Sequence, residues 1–311
     1  MGGKAQGFND HRDMFPQAVR AIREAQPKAF IFENVRGLLR PMFRNYVEFV
    51  RLQLTYPDFP VSDNVAWDVN LQRLERYHSS QSRGGGLVYK VMLHLADAAD
   101  YGVPQRRHRV FFVGFRADLD CRWFFPSPTH SAALLRESKA VTGDYWEEHS
   151  LMAKEALQMS EPMRTQAARQ ALLFGEMKRW RTVRDALLGL PDPRGVNGFA
   201  NHSYQPGARV YPGHTGSPVD EPSKALKAGD HGVPGGENML RHPNGKVRYY
   251  TVREAARVQT FPDNYVFPVS WTESLRQLGN AVPVELGRVV AESVARSLKS
   301  NAQRDSVQSS R

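Results

Sequence analysis

Cysteine occurs once in the 311 residues, at Cys121. The chain can therefore form no internal disulfide and no cysteine-built zinc cluster, which fits a reducing, cytoplasmic compartment. Long apolar runs are missing as well. Mean hydropathy is −0.52, and no apolar stretch approaches the length of a membrane span. Met1-Gly2-Gly3-Lys4 has no apolar signal region, and Gly2 lacks the Ser or Thr of a myristoylation site. There is no internal repeat at solenoid or propeller periods. Acidic charge is in deficit, with 32 Asp and Glu against 42 Lys and Arg, a net charge of +10. That balance favours a polyanionic partner. Hydrophobic residues make up 41%, enough for a core, which excludes wholesale disorder.

The local pattern is that of an α/β fold. Phe15, Val19 and Ile22 recur at the spacing of one helix face, and Pro27 stops that helix. Ala29-Phe30-Ile31-Phe32 reads as a strand covered on both faces, leading into Glu33-Asn34. A second helix carries Tyr46, Phe49, Val50 and Leu52. This order suits a doubly wound sheet, whose ligands sit beyond the carboxyl ends of the strands, where Glu33 falls. Leu87 to Leu95 and Arg109 to Phe115 read as two more strands, joined by a turn through Gly102 and Pro104 that holds Arg106 and Arg107.

From Phe125 the composition shifts. A helical stretch is expected from Leu151 to Leu188, and 189–245, rich in Gly, Pro, Asn and His, suits a loop-rich recognition surface. Thr251/Glu254 and Ser270/Glu273 read as capping boxes, and Gly279 reads as the residue just past the second helix. Pro283 opens a third helix with Leu286, Val289, Val290 and Val294 on one side. The expected division is a partial catalytic domain at 1–122, a target-recognition domain at 123–248, a returning segment at 249–298 and a disordered tail at 299–311. The histidines His202, His214 and His231 are too scattered for a zinc site, so no metal is expected.

Five segments, in order, resemble the cytosine-5 DNA methyltransferase family. Ile31-Phe32-Glu33-Asn34-Val35 is similar to its catalytic Glu-Asn-Val motif, and Gln105-Arg106-Arg107-His108-Arg109 to its Gln-x-Arg-x-Arg motif. Arg253-Glu254-Ala255-Ala256-Arg257-Val258-Gln259-Thr260-Phe261-Pro262 resembles the segment that follows the recognition region. Gly279-Asn280-Ala281-Val282 resembles the closing motif, and Asp10 to Phe15 the segment whose apolar residue touches the cofactor adenine. The family's Phe-x-Gly-x-Gly cofactor loop and Pro-Cys-Gln nucleophile are not in this sequence, which looks like a chain starting just past the nucleophile loop.

The resemblance implies an incomplete, Rossmann-like methyltransferase sheet with a smaller recognition domain. It implies methyl transfer from S-adenosylmethionine to carbon 5 of a cytosine flipped out of double-stranded DNA, in a restriction–modification setting. Glu33 would face ring N3, Arg109 would hold O2, and Arg107 would brace the site or the nucleophile. Met14, Phe15, Asn280 and Ala281 would contact the cofactor. Lys224, Lys227 and His231 fall where DNA is read. A lone thiol needs an electropositive setting, and the acids around Cys121 argue against it as a substitute nucleophile. The chain alone is therefore expected to be inactive and to need a second polypeptide or further chain carrying the cofactor loop and thiolate. Three other readings stay open: a non-catalytic DNA-binding relative, an inactive gene fragment, and an RNA cytosine-5 methyltransferase.

Overall fold

The computed structural model describes residues 14–62, 64–80, 86–119, 121–151, 161–171, 175–195, 198–228 and 238–309. Asp10 to Asp13 and His231 lie outside the described residues. The chain divides into two compact units. One holds Met1–Ala96, His108–Phe125 and Val290–Arg311; the other holds Asp97–Arg107 and Pro126–Val289. The second unit thus takes in the 97–107 turn and most of the 249–298 segment, which the sequence had assigned to the catalytic part.

In the first unit, α1 (Phe15–Ala25) buries Phe15, Val19 and Ile22, and ends at Gln26 in the left-handed region. Strand β1 (Ala29–Val35) pairs antiparallel with β3 (His108–Arg116), and β2 (Tyr89–Asp97) completes a sheet of order β1-β3-β2. Phe30, Phe32, Val110 and Phe112 face a core built with α1, α2 (Arg44–Thr55) and α3 (Trp67–Ser79). Alternation sends Phe111, Val113 and Phe115 to the other face, where all three are buried. There Phe111 meets Phe125 and Phe115 meets Trp123. The Trp123 indole N–H donates to Ser293 Oγ at 3.0 Å, on α10 (Val284–Ser309). The sheet is covered on both sides, as its unbroken apolar run requires. The polar end 299–311, expected to be disordered, instead continues α10 as helix to Ser309.

The second unit is a patchwork of short elements. Strand β4 (His130–Ser131) leads into α4 (Ala132–Glu137) and pairs in parallel with β5 (Lys178–Arg179). The expected helix from Leu151 to Leu188 is instead α6 (Glu161–Ala171), β5 and α7 (Val183–Leu187), following α5 (Asp144–Glu148). A capping box of Thr182 with Asp185 restarts the chain as α7. Strands β6 (Ser217–Pro218), β7 (Met239–Arg241) and β8 (Val247–Tyr249) form a small sheet. Leu226, Leu240 and Tyr250 pack with α7, α8 (Val252–Val258) and α9 (Trp271–Asn280). The Thr251/Glu254 box is complete. At Ser270 only half of one forms, because the Glu273 carboxylate is taken by Arg276 and Gln277.

Candidate active site

Glu33 and Arg109 meet because of strand register. Glu33 lies opposite Phe111 and Val35 opposite Arg109, so Glu33 and Arg109 are diagonal neighbours on one face of an antiparallel pair. Diagonal neighbours lie roughly 7–8 Å apart at the backbone, within reach of two long side chains. The two form an ion pair, with side chains 23% and 11% exposed respectively. Burial pulls the Arg109 guanidinium below its ordinary range, and the Glu33 charge beside it pulls the other way. Arg109 Nη1 also donates to the His108 carbonyl at 2.9 Å, which fixes the fork. The Asn34 side chain accepts from the Val35 N–H at 2.7 Å and stiffens the strand end. A carboxylate and a guanidinium held side by side offer an acceptor and fixed donors to one edge of a planar polar ligand.

Arg107 is only two residues earlier, but it belongs to the second unit and does different work. It is 1% exposed. Its Nη1 donates to the Leu226 carbonyl at 2.8 Å, and its Nη2 to the Gly279 and Ala281 carbonyls at 2.6 and 3.0 Å. What it braces is backbone. Arg106 lies over the Trp180 ring and pairs with Asp97 at 3.3 Å, with its side chain 56% exposed.

Of the four residues expected at the cofactor, Phe15 is spent in the core, packed edge-on against Phe112 and Tyr46. Met14, just before α1, is exposed. Asn280 ends α9 with its side chain exposed, and the Ala281 carbonyl is taken by Arg107. Met14 and Phe15 lie in the first unit and Asn280 and Ala281 in the second. Lys227 is exposed, whereas Lys224 is half-buried with its ammonium on Thr215 Oγ1 at 3.0 Å.

Cys121 is buried, with its sulfur 4.0 Å from the Ser297 carbonyl. Glu148, His149 and Asp185 come together in the second unit, but Arg179 already pairs with both carboxylates. Two features escaped the sequence reading. Gly279 is not past α9 but inside it, and Gln105 pairs with Ser223 through a parallel bridge. A glycine within a helical pattern was the available signal for the first.

Residues 1–296 match the family of C-5 cytosine-specific DNA methylases. The chain is 28% identical over 326 aligned positions to the type II methyltransferase M.SacI of Streptomyces achromogenes, covering 95% of this chain and 67% of that protein. It is 27% identical to the type II methyltransferase M.NgoMIV of Neisseria gonorrhoeae, covering 96% of this chain and 73% of that protein. In fold it is similar to a protein described as a DNA modification methyltransferase encoded within an E. coli prophage, with a TM-score of 0.50 and 18% identity. That likeness covers 94% of this chain and 77% of the other.

Proposed function

Because the chain belongs to the C-5 cytosine-specific DNA methylase family, we propose that it forms the base-holding and DNA-reading part of a DNA (cytosine-5)-methyltransferase of a restriction–modification system. The Glu33–Arg109 pair carries this reading. Carbon 5 of cytosine becomes nucleophilic only after a thiolate adds to carbon 6, which pushes negative charge toward N3 and O2. The Arg109 fork donates to O2 and stays charged throughout. Glu33 stands next to it, where a carboxyl group faces N3 and hydrogen-bonds there to offset charge as the thiolate adds. S-adenosylmethionine, the family's methyl donor, supplies the methyl group.

The thiolate comes from polypeptide outside these 311 residues. Cys121, the one cysteine, is buried on the segment that covers the sheet. The family's Phe-x-Gly-x-Gly cofactor loop, which this sequence lacks, has the same origin.

The test is co-expression with a polypeptide bearing the family's cofactor loop and Pro-Cys-Gln, read by bisulfite conversion of the DNA. The chain alone should leave DNA unmethylated, and the mixture should methylate it. Glu33→Ala or Arg109→Ala should remove most of the activity and leave DNA binding intact, because both act on the flipped base and not on the backbone. Full methylation by the Glu33→Ala mixture would refute the assignment.

A further inference from the structure

Three stretches of backbone in the second unit converge on Arg107. The turn before it runs beside 223–226: Arg106 N–H donates to the Ser223 carbonyl at 2.8 Å, and Ser223 N–H to the Pro104 carbonyl at 2.9 Å. The Leu226 N–H donates to Gln105 Oε1 at 3.2 Å, and the Leu226 carbonyl accepts from Arg107. The other arm of the guanidinium takes the carbonyls of Gly279 and Ala281, at the C-terminal end of α9, where the helix dipole favours a cation. Asp97 Oδ1 accepts from the Arg107 backbone N–H at 2.9 Å and fixes the starting point of the side chain.

Gly279 is the other half of the joint. A Cβ there would lie 2.4 Å from Ala228 N and 2.6 Å from Lys227 C, both backbone atoms. Helix α9 therefore rests directly on the 227–228 peptide, and only glycine permits that approach. Among the described residues, segment 223–228 has sheet pairing only at Ser223. Gln105 and Arg107 hold it on one side and α9 on the other, while Ser217 Oγ accepts from the Lys224 N–H at 3.0 Å and the Asn238 amide bonds the N–H and the carbonyl of Lys227 at 3.3 and 3.2 Å. Just past Leu226, Lys227 is exposed.

We propose that Arg107 and Gly279 are positioning residues for DNA recognition: they hold the 223–228 backbone in one register, so that Lys227 is presented to DNA at a fixed place. Arg107 on this account touches neither base nor cofactor. The proposal rests on the reading of 223–228 as a DNA-facing segment, and its test separates the two ideas.

Hydrogen exchange is measured on the full chain as wild type, Arg107→Lys and Gly279→Ala. A lysine keeps the charge but cannot span three carbonyls. Lost charge-assisted bonds of this kind should speed exchange at Arg106, Ser223 and Leu226 by about tenfold or more, with Ala255 and Gln259 in and after α8 unchanged. Gly279→Ala should loosen the same amides by pushing on the other side. No change at these sites, or equal acceleration at α8, overturns the joint. The same proteins are then used to select from randomised duplex DNA. Both variants should keep wild-type affinity for the unselected pool and lose about tenfold of the enrichment for the preferred sequence. Undiminished enrichment overturns the proposal. A wild type that enriches nothing refutes instead the DNA-reading assignment, and the exchange result then decides the joint by itself.

Discussion

Arginine does three kinds of work within a few residues of sequence. Arg106 lies on an indole ring, Arg107 holds three carbonyls, and Arg109 pairs with a carboxylate across two strands. Farther on, Arg253 and Arg257 hold structure together. Arg253 takes the carbonyls of Ala200, Pro262 and Tyr265, and Arg257 grips Asp263 with two bonds. A histidine carries the pH dependence at this scale. His130 packs against Gly102, where a Cβ would lie 2.7 Å from its ring. Burial, then the charges of Lys178 and Arg181, push its pKa down to about 4. Between its ordinary value and that one, the unfolded chain binds a proton that the folded chain refuses. Stability should therefore fall as pH drops through this window. Urea melts at about pH 7 and about pH 4.5 should show a lower midpoint at the acid end, and His130→Gln should shrink that difference. An unchanged difference would show that the acid loss arises elsewhere.

Elements with a strong period were legible, and those made by long-range pairing were not. Helix α1 and strands β1, β2 and β3 formed where apolar spacing placed them, because each buries a face that its own sequence marks. The stretch from Leu151 to Leu188 broke into pieces because Lys178 and Arg179 pair with His130 and Ser131, a contact no local pattern announces. The tail past 299 was expected to be disordered from its polarity, yet it extends a helix already begun at Val284. Extension adds one bond per residue without a new nucleus. The β1–β3 pair gives the sharpest prediction at this scale. Gly114 sits opposite Phe30, and a Cβ there would come within 2.3 Å of the Phe30 ring, itself buried. Gly114→Ala should cost about 1–3 kcal/mol by overpacking. A lower denaturant midpoint with an unchanged slope would confirm it, and a neutral effect would mean that the ring has room to turn.

At the scale of the whole chain, charge is the property that acts. A net +10 on 311 residues draws the protein toward a polyanion irrespective of base sequence. If about six phosphates are neutralised, affinity for duplex DNA should fall by roughly a thousandfold between about 50 and 200 mM salt. Fluorescence anisotropy across that range measures the slope; an affinity indifferent to salt would exclude a phosphate-dominated interface.

Composition and order along the chain by themselves determined the family resemblance, the absence of a second thiol, the basic charge and the residues to suspect. These are properties of residue type and spacing, and folding does not alter them. Tertiary structure alone decided which groups the two arginines of one short motif touch. Arg109 is in register with Glu33 because β1 and β3 pair antiparallel, and Arg107 precedes the strand, where its donors meet the carbonyls of Leu226, Gly279 and Ala281 instead. Register and close approach join residues far apart in the chain, so no local pattern in the sequence could have named these partners.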